Sequence, residues 1–122
     1  MAVVTQEIPQ DVWRRYFDEF SKTMGTLEAT VEIAGQDLGA QIAAERLVLT
    51  GLTYDDRDDV LVIGLDAPGG LREEYEHLVD HPQRILVATG GGVETAIDIE
   101  DGESRQHIIR MEHAPALPAV EP

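Results

Sequence analysis

The chain has 122 residues, with 24 acidic and 9 basic side chains and a formal net charge of −15. That length accommodates one domain around one core, and so negative a field repels phosphate backbones and anionic lipid headgroups, which excludes nucleic acid and membrane surfaces as partners. Cysteine is absent, which excludes disulfides, thiolate catalysis and Cys-ligated metal sites.

Residues 1–7 carry no periodic pattern and read as an N-terminal tail. Ile8-Pro9 followed by Gln10-Asp11 is a helix start, because proline fits a first turn that needs no N–H and an early Asp suits the positive end of the helix dipole. From there Trp13, Phe17, Phe20 and Met24 fall three or four apart, with Val12 and Tyr16 flanking and charged residues on the other side. This predicts an amphipathic helix ending near Gly25. The period then changes to two: Leu27, Ala29, Val31 and Ile33 alternate with polar residues, a strand signature, and Gly35-Gln36-Asp37 supplies a turn. The run from Ala40 to Leu52 alternates on Ile42 and Ala44, then shifts parity to Leu47 and Leu49, which places a bulge near Glu45-Arg46.

After the acidic turn Asp55–Asp59, the segment Val60-Leu61-Val62-Ile63-Gly64-Leu65 is apolar on both parities, as expected of a strand covered on both faces, with the helix able to cover the outer one. Pro68-Gly69-Gly70 breaks the chain. Leu71–Val79 fits either a helix or a strand and is assigned to a strand. Ile85, Val87 and Thr89 form the next strand, before Gly90-Gly91-Gly92; Val93–Glu100 then alternates again. Asp101-Gly102 predicts a two-residue type I′ hairpin into a last strand with His107, Ile109 and Met111. The Pro/Ala-rich segment 113–122 reads as a C-terminal tail.

Six to seven strands joined by tight turns predict an α+β domain over residues 8–112: an amphipathic N-terminal helix packed on a small, partly closed antiparallel β-barrel or curved sheet.

The residues Ile8-Pro9, Trp13, Phe17-Asp18-Glu19-Phe20-Ser21, Val31-Glu32, Asp37-Leu38-Gly39-Ala40-Gln41, His77-Leu78, His81-Pro82 and Ile85 resemble a group of small bacterial proteins classed only as a domain of unknown function. The resemblance spans residues 8–111. It implies a bacterial protein of unassigned activity and gives no role to any residue.

Two features carry candidate chemistry. His77 and His81 stand four apart among carboxylates, and His107 supplies a third imidazole if its strand lies beside theirs, which is the ligand inventory of a zinc or non-haem iron site. The plainer reading has one exposed His at a strand end and one in a turn. The aromatic stripe Trp13, Tyr16, Phe17 and Phe20 is wide enough to serve both as a core face and as an interface with a partner or a second copy. Asp55–Asp59 lacks the spacing and Gly of a calcium loop, and Gly90–Gly92 is followed by no P-loop residues. No cofactor motif is present, and no nucleophile sits beside a recognisable base.

No catalytic signature stands out in this acidic chain. The leading expectation is therefore a non-catalytic protein-binding or assembly module of the cytoplasm, with no membrane span or leader peptide in the sequence. The alternative is a small-molecule or metal-binding domain, a sensor or small enzyme, using the region of His77, His81 and His107. A cavity bordered by the histidines favours the second over the first.

Overall fold

A computed structural model describes residues 3–67, 74–91 and 93–113. Of the expected tail 113–122, His113 instead ends the last strand, and residues 114–122, the Pro68-Gly69-Gly70 break, residues 71–73 and Gly92 lie outside the described residues.

The N-terminal signal is realised as a single 3-10 turn, Gln10–Val12, running into helix α1, Trp13–Thr23. Gly25, at φ 69°, then reverses the chain in a left-handed conformation that suits glycine. Eight strands account for most of the remainder: β1 (Val3–Glu7), β2 (Leu27–Gly35), β3 (Gly39–Asp55), β4 (Val60–Asp66), β5 (Glu74–Asp80), β6 (Arg84–Gly90), β7 (Val93–Glu100) and β8 (Gln106–His113). They form one antiparallel sheet in the order β1-β6-β7-β8-β2-β3-β4-β5.

This corrects the expected barrel of six to seven strands. Among the described residues the sheet has eight strands and is not closed, because its outermost strands, β1 and β5, pair there only with β6 and β4. The added strand, β1, lies in the segment expected to be a tail. All five of its side chains are exposed, so it has no inward face and leaves no alternation of apolar and polar residues to detect. It is held by its ladder to β6, by Ile8 N–H donating to Ile85 O at 2.9 Å and by Arg84 Nε donating to a Glu7 carboxylate at 2.9 Å.

The open sheet must nevertheless fold over on itself. β5 is its last strand and β6 its second. In a flat sheet they would stand about 29 Å apart at roughly 4.8 Å per strand, yet only residues 81–83 connect them, a link whose four Cα–Cα steps reach at most about 15 Å. Backbone bonds tie the ends that the fold brings together: Gln83 N–H donates to Glu100 O at 2.7 Å, and Gly102 N–H to Asp80 O at 3.3 Å.

The inner face of this bent sheet is the core. Leu49, Leu52 and Tyr54 of β3 lie opposite Leu65, Ile63 and Leu61 of β4, and all six are buried in one cluster with Ile85, Ile97, Ile99, Ile109 and the helix aromatics. Helix α1 packs against β3, not over the outer face of β4, whose Val60 and Val62 stay partly exposed. The reason lies in the ladder. Pairing of β2 with β3 starts at Leu27 and Leu49, so β3 beyond Leu49 has no β2 neighbour on that flank, and the helix occupies it. Ser21 Oγ stands in for the missing strand, accepting from Leu52 N–H at 2.9 Å and donating to Leu52 O at 2.8 Å. Trp13 meets Tyr54 edge to face at 5.3 Å, and its Nε1–H donates to Ile8 O at 2.7 Å.

The bulge expected in the second long strand is present. Ala29 lies opposite Leu47 and Val31 opposite Ala44, so Glu45 and Arg46 share a place across from Thr30. Arg46 takes φ 53°, and its N–H donates to Thr30 Oγ1 at 3.1 Å.

Candidate functional site

The site begins with the turn from β7 to β8. Asp101-Gly102 is not the centre of a two-residue turn. Asp101 N–H instead donates to Arg105 O at 2.9 Å, closing a three-residue loop in which Ser104 takes the left-handed conformation at φ 64°. The Asp101 side chain selects this longer loop. Its Oδ1 accepts from Glu103 N–H at 2.8 Å and from Arg105 N–H at 3.0 Å, giving those backbone donors a carboxylate partner that a two-residue turn would not use.

The other carboxylate oxygen faces inward. Asp101 Oδ2 lies 2.8 Å from Nε2 of His107, which follows the turn on β8. His107 shares the inward face with Ile109 and Met111, stands between Ile33 of β2 and Ile99 of β7, and is 6% exposed. Its second nitrogen, Nδ1, lies 2.8 Å from Nε2 of His77 on β5. The fold-over of the sheet makes this contact, because β5 and β8 are separated in the ladder by β4, β3 and β2. Gly102 permits the approach, since a Cβ there would stand 3.0 Å from that of His81.

The charge of Asp101 sets the first of these bonds and, for a neutral His107, the second. Burial pushes the Asp101 carboxyl up, but hydrogen bonds from His107 and from the Arg105 and Glu103 N–H groups outweigh it, and its pKa is lowered. Asp101 is therefore an anion at neutral pH and can only accept, so His107 Nε2 carries a proton. When His107 carries that one proton only, its Nδ1 is the acceptor and His77 Nε2–H the donor, which leaves the His77 lone pair on Nδ1. Burial, then repulsion from His107 whenever that ring is also protonated, holds the His77 pKa below its ordinary 6.5. The result is a buried carboxylate, a buried imidazole and a half-buried imidazole in series.

Each end of the imidazole pair borders a depression. His107 and Asp101 line a cleft of about 510 Å³ with Asp80, His81 and Arg105. His77 lines a groove of about 410 Å³ over β4, between the bulged half of β3 and β5. Ala43, Ala44 and Leu47 border it from β3, Leu65 from β4 and Tyr75 from β5, and Glu45, Glu76 and His77 are its ionisable neighbours.

Of the three histidines proposed from sequence, the structure brings His77 and His107 together. His81 borders the same cleft as His107 but bonds to neither ring: it lies in the turn after β5 at φ 52°, where its Nδ1 is 3.1 Å from Asp59 Oδ2. Asp59 also accepts from Tyr54 O–H at 2.7 Å, and burial and this carboxylate together push the Tyr54 phenol up to about 12. Among the described residues no group of three or more His, Asp or Glu is arranged to hold a metal ion. The acidic turn ties itself, with Asp55 Oδ1 accepting from Arg57 N–H at 2.9 Å and Asp58 N–H at 3.2 Å.

The aromatic stripe proposed as an interface points into this chain's own core: Trp13, Phe17 and Phe20 are buried, and Tyr16, half-buried, has its O–H 3.5 Å from a Glu94 carboxylate. Sequence reasoning missed Asp101 as a site residue. Its signal was an Asp opening a hairpin and a His on the strand after it, a pairing that becomes visible only once the loop length is known.

The family DUF5335, described as a family of unknown function, matches residues 4–120. The chain is also 35% identical, over 116 residues, to an uncharacterized protein of Aquifex aeolicus (strain VF5), covering 95% of this chain and 99% of that one. No solved structure matches it. No helix among the described residues is long and apolar enough to cross a membrane.

Proposed function

The chain belongs to DUF5335, a family of unknown function, and from its own geometry we propose that it is a small-molecule-binding domain whose groove between β3 and β5 offers His77 as its polar anchor. The observation that supports this reading is the pair of 2.8 Å bonds linking Asp101 to His107 and His107 to His77. An imidazole fixed in this way is pre-oriented, so a ligand does not have to order it on binding. The groove's volume, about 410 Å³, lies in the range of small-ligand pockets, about 300–1,000 Å³, and its mostly apolar lining with a few polar groups, His77, Glu45 and Glu76, matches their usual composition. The domain is read as a bacterial cytoplasmic protein.

The test is a titration of the full chain with 1-hexanol, hexylamine and hexanoate, followed by amide and methyl NMR shifts. Shifts confined to Ala44, Leu47, Leu65, Tyr75 and His77 with at least one probe, and weakened by His77→Phe, are the expected result. No shift in the groove with any of the three removes the reading.

A second reading, self-association, rests on β1. Its outer edge forms no ladder with another strand among the described residues, and Val3 and Val4 on it are 64% and 58% exposed. With the helix aromatics turned inward, this strand edge replaces the helix as the surface proposed for such contact. Sedimentation velocity on the intact chain and on Val4→Lys tests it: a dimer that Val4→Lys disperses supports it, and a monomer at high protein concentration ends it.

A further inference from the structure

We infer that the ligand of the β3–β5 groove is an organic cation, a primary or secondary amine carried on a compact apolar body. This rests on the groove being a binding site and adds the chemical class of what fills it.

Apart from His77, the acidic and basic groups lining the groove among the described residues are all carboxylates. Glu45 stands in the β3 bulge and Glu76 on β5, both exposed, and neither Lys nor Arg lines it among the described residues. A carboxylate or phosphate ligand would meet two like charges there, in a chain whose formal net charge is −15. The neighbouring guanidinium does not reverse this, because Arg46 turns to Glu28 at 3.6 Å.

The imidazole selects the same class. With Asp101 holding the proton on His107 Nε2, and His107 accepting from His77 Nε2–H, His77 keeps a lone pair on Nδ1 and so offers an acceptor. An N–H of an ammonium group supplies the donor, while Glu45 and Glu76 neutralise its charge. Tyr75 adds an aromatic ring at the groove wall, whose face favours a cation. Ala43, Ala44, Leu47 and Leu65 receive the apolar body. A neutral alcohol satisfies the apolar lining and His77 but leaves both carboxylates without a counter-charge.

The experiment compares 1-hexanol, hexylammonium and hexanoate at neutral pH on the full chain by NMR-detected titration. The expected result is hexylammonium binding in the groove at least about tenfold more tightly than hexanol, as a charge-assisted contact requires, with hexanoate not binding. Glu76→Gln and Glu45→Gln, both at exposed positions, should each weaken hexylammonium by about two- to fivefold and leave hexanol unchanged; Glu19→Gln on the exposed helix face should alter neither. Hexanol binding as tightly as hexylammonium overturns the cation assignment and leaves the groove standing. No probe shifting the groove overturns both. Preference for hexanoate overturns the assignment outright.

Discussion

His77 and His107 are 30 residues apart in the chain, on strands that are not neighbours in the sheet, and their rings share a hydrogen bond of 2.8 Å. Removing the inner partner should be felt in both fold and site. His107→Ala leaves buried Asp101 without its imidazole and His77 Nε2–H without its acceptor, and each unsatisfied buried group costs about 1–3 kcal/mol. Urea unfolding should show a loss of that order. In the folded fraction, amine affinity should fall because the His77 ring is no longer fixed.

Asp101→Asn separates the charge of the carboxylate from its shape. The amide oxygen can still accept from the turn N–H groups, while the amide NH2 faces His107 Nε2 and turns it into an acceptor. The proton then moves to His107 Nδ1, which donates to His77 Nε2, and His77 takes its own proton on Nδ1. The expected outcome is a folded protein in which His77 has changed from acceptor to donor and hexylammonium binding is lost. Asp101→Asn binding hexylammonium as tightly as the parent would show that the carboxylate does not set the tautomer.

The same chain of bonds makes stability depend on pH. His77 has a folded pKa below its ordinary 6.5, so as pH falls through that value the unfolded chain takes up a proton that the folded chain refuses. Stability from this group is therefore full above 6.5 and declines as pH falls towards the folded value. Asp101 acts lower: its pKa is held below 3.8, so its contribution is present above that value and is lost as pH falls through the folded pKa. Other groups face the pair as well: Glu76 on β5, Glu45 on β3, Asp98 on β7, and Asp80 and Arg105 beside His107. The comparison of unfolding midpoints is thus made between the parent and His77→Phe, which should be flatter just below 6.5.

Ser21→Ala tests the join between helix and sheet. The hydroxyl serves both Leu52 N–H and Leu52 O, in a place where no strand can replace it, and its loss should cost about 1–3 kcal/mol with little change in secondary structure by circular dichroism. A neutral substitution would mean that water enters freely between α1 and β3.

Phe17→Ala distinguishes core from interface for the aromatic stripe. Phe17 is fully buried, so truncation should destabilise the monomer by about 3–5 kcal/mol, measured at a concentration where sedimentation shows one species. A loss that appears only when a dimer dissociates would return the stripe to an interface role.

Local periodicity made much of the fold legible. The helix, its inward stripe and the β3 bulge all follow from spacing and parity, because each buries a face and so leaves a pattern. β1 left none, since its residues Val3–Glu7 bury no face and are held mainly by backbone bonds, with one side-chain pair, Glu7 and Arg84, that only the fold brings together. The number of strands, and the failure of the sheet to close, depend on those bonds. The site was half visible. His77 and His107 stood out as residue types, but their meeting depends on the fold-over of the sheet and on Gly102 letting the β7–β8 turn approach His81. Asp101 was read as a turn residue because the two-residue turn places no demand on its side chain. The three-residue loop does, and that difference turns a hairpin signal into the anchor of the site.

The central claim is that Asp101 and His107 hold His77 as a hydrogen-bond acceptor. Long-range 1H–15N correlation of the imidazole rings at neutral pH tests it directly. The account predicts both rings protonated at Nε2 and bare at Nδ1, and Asp101→Asn moving both protons to Nδ1. A His77 ring protonated at Nδ1 in the parent protein, or one whose tautomer is unaffected by Asp101→Asn, would contradict it.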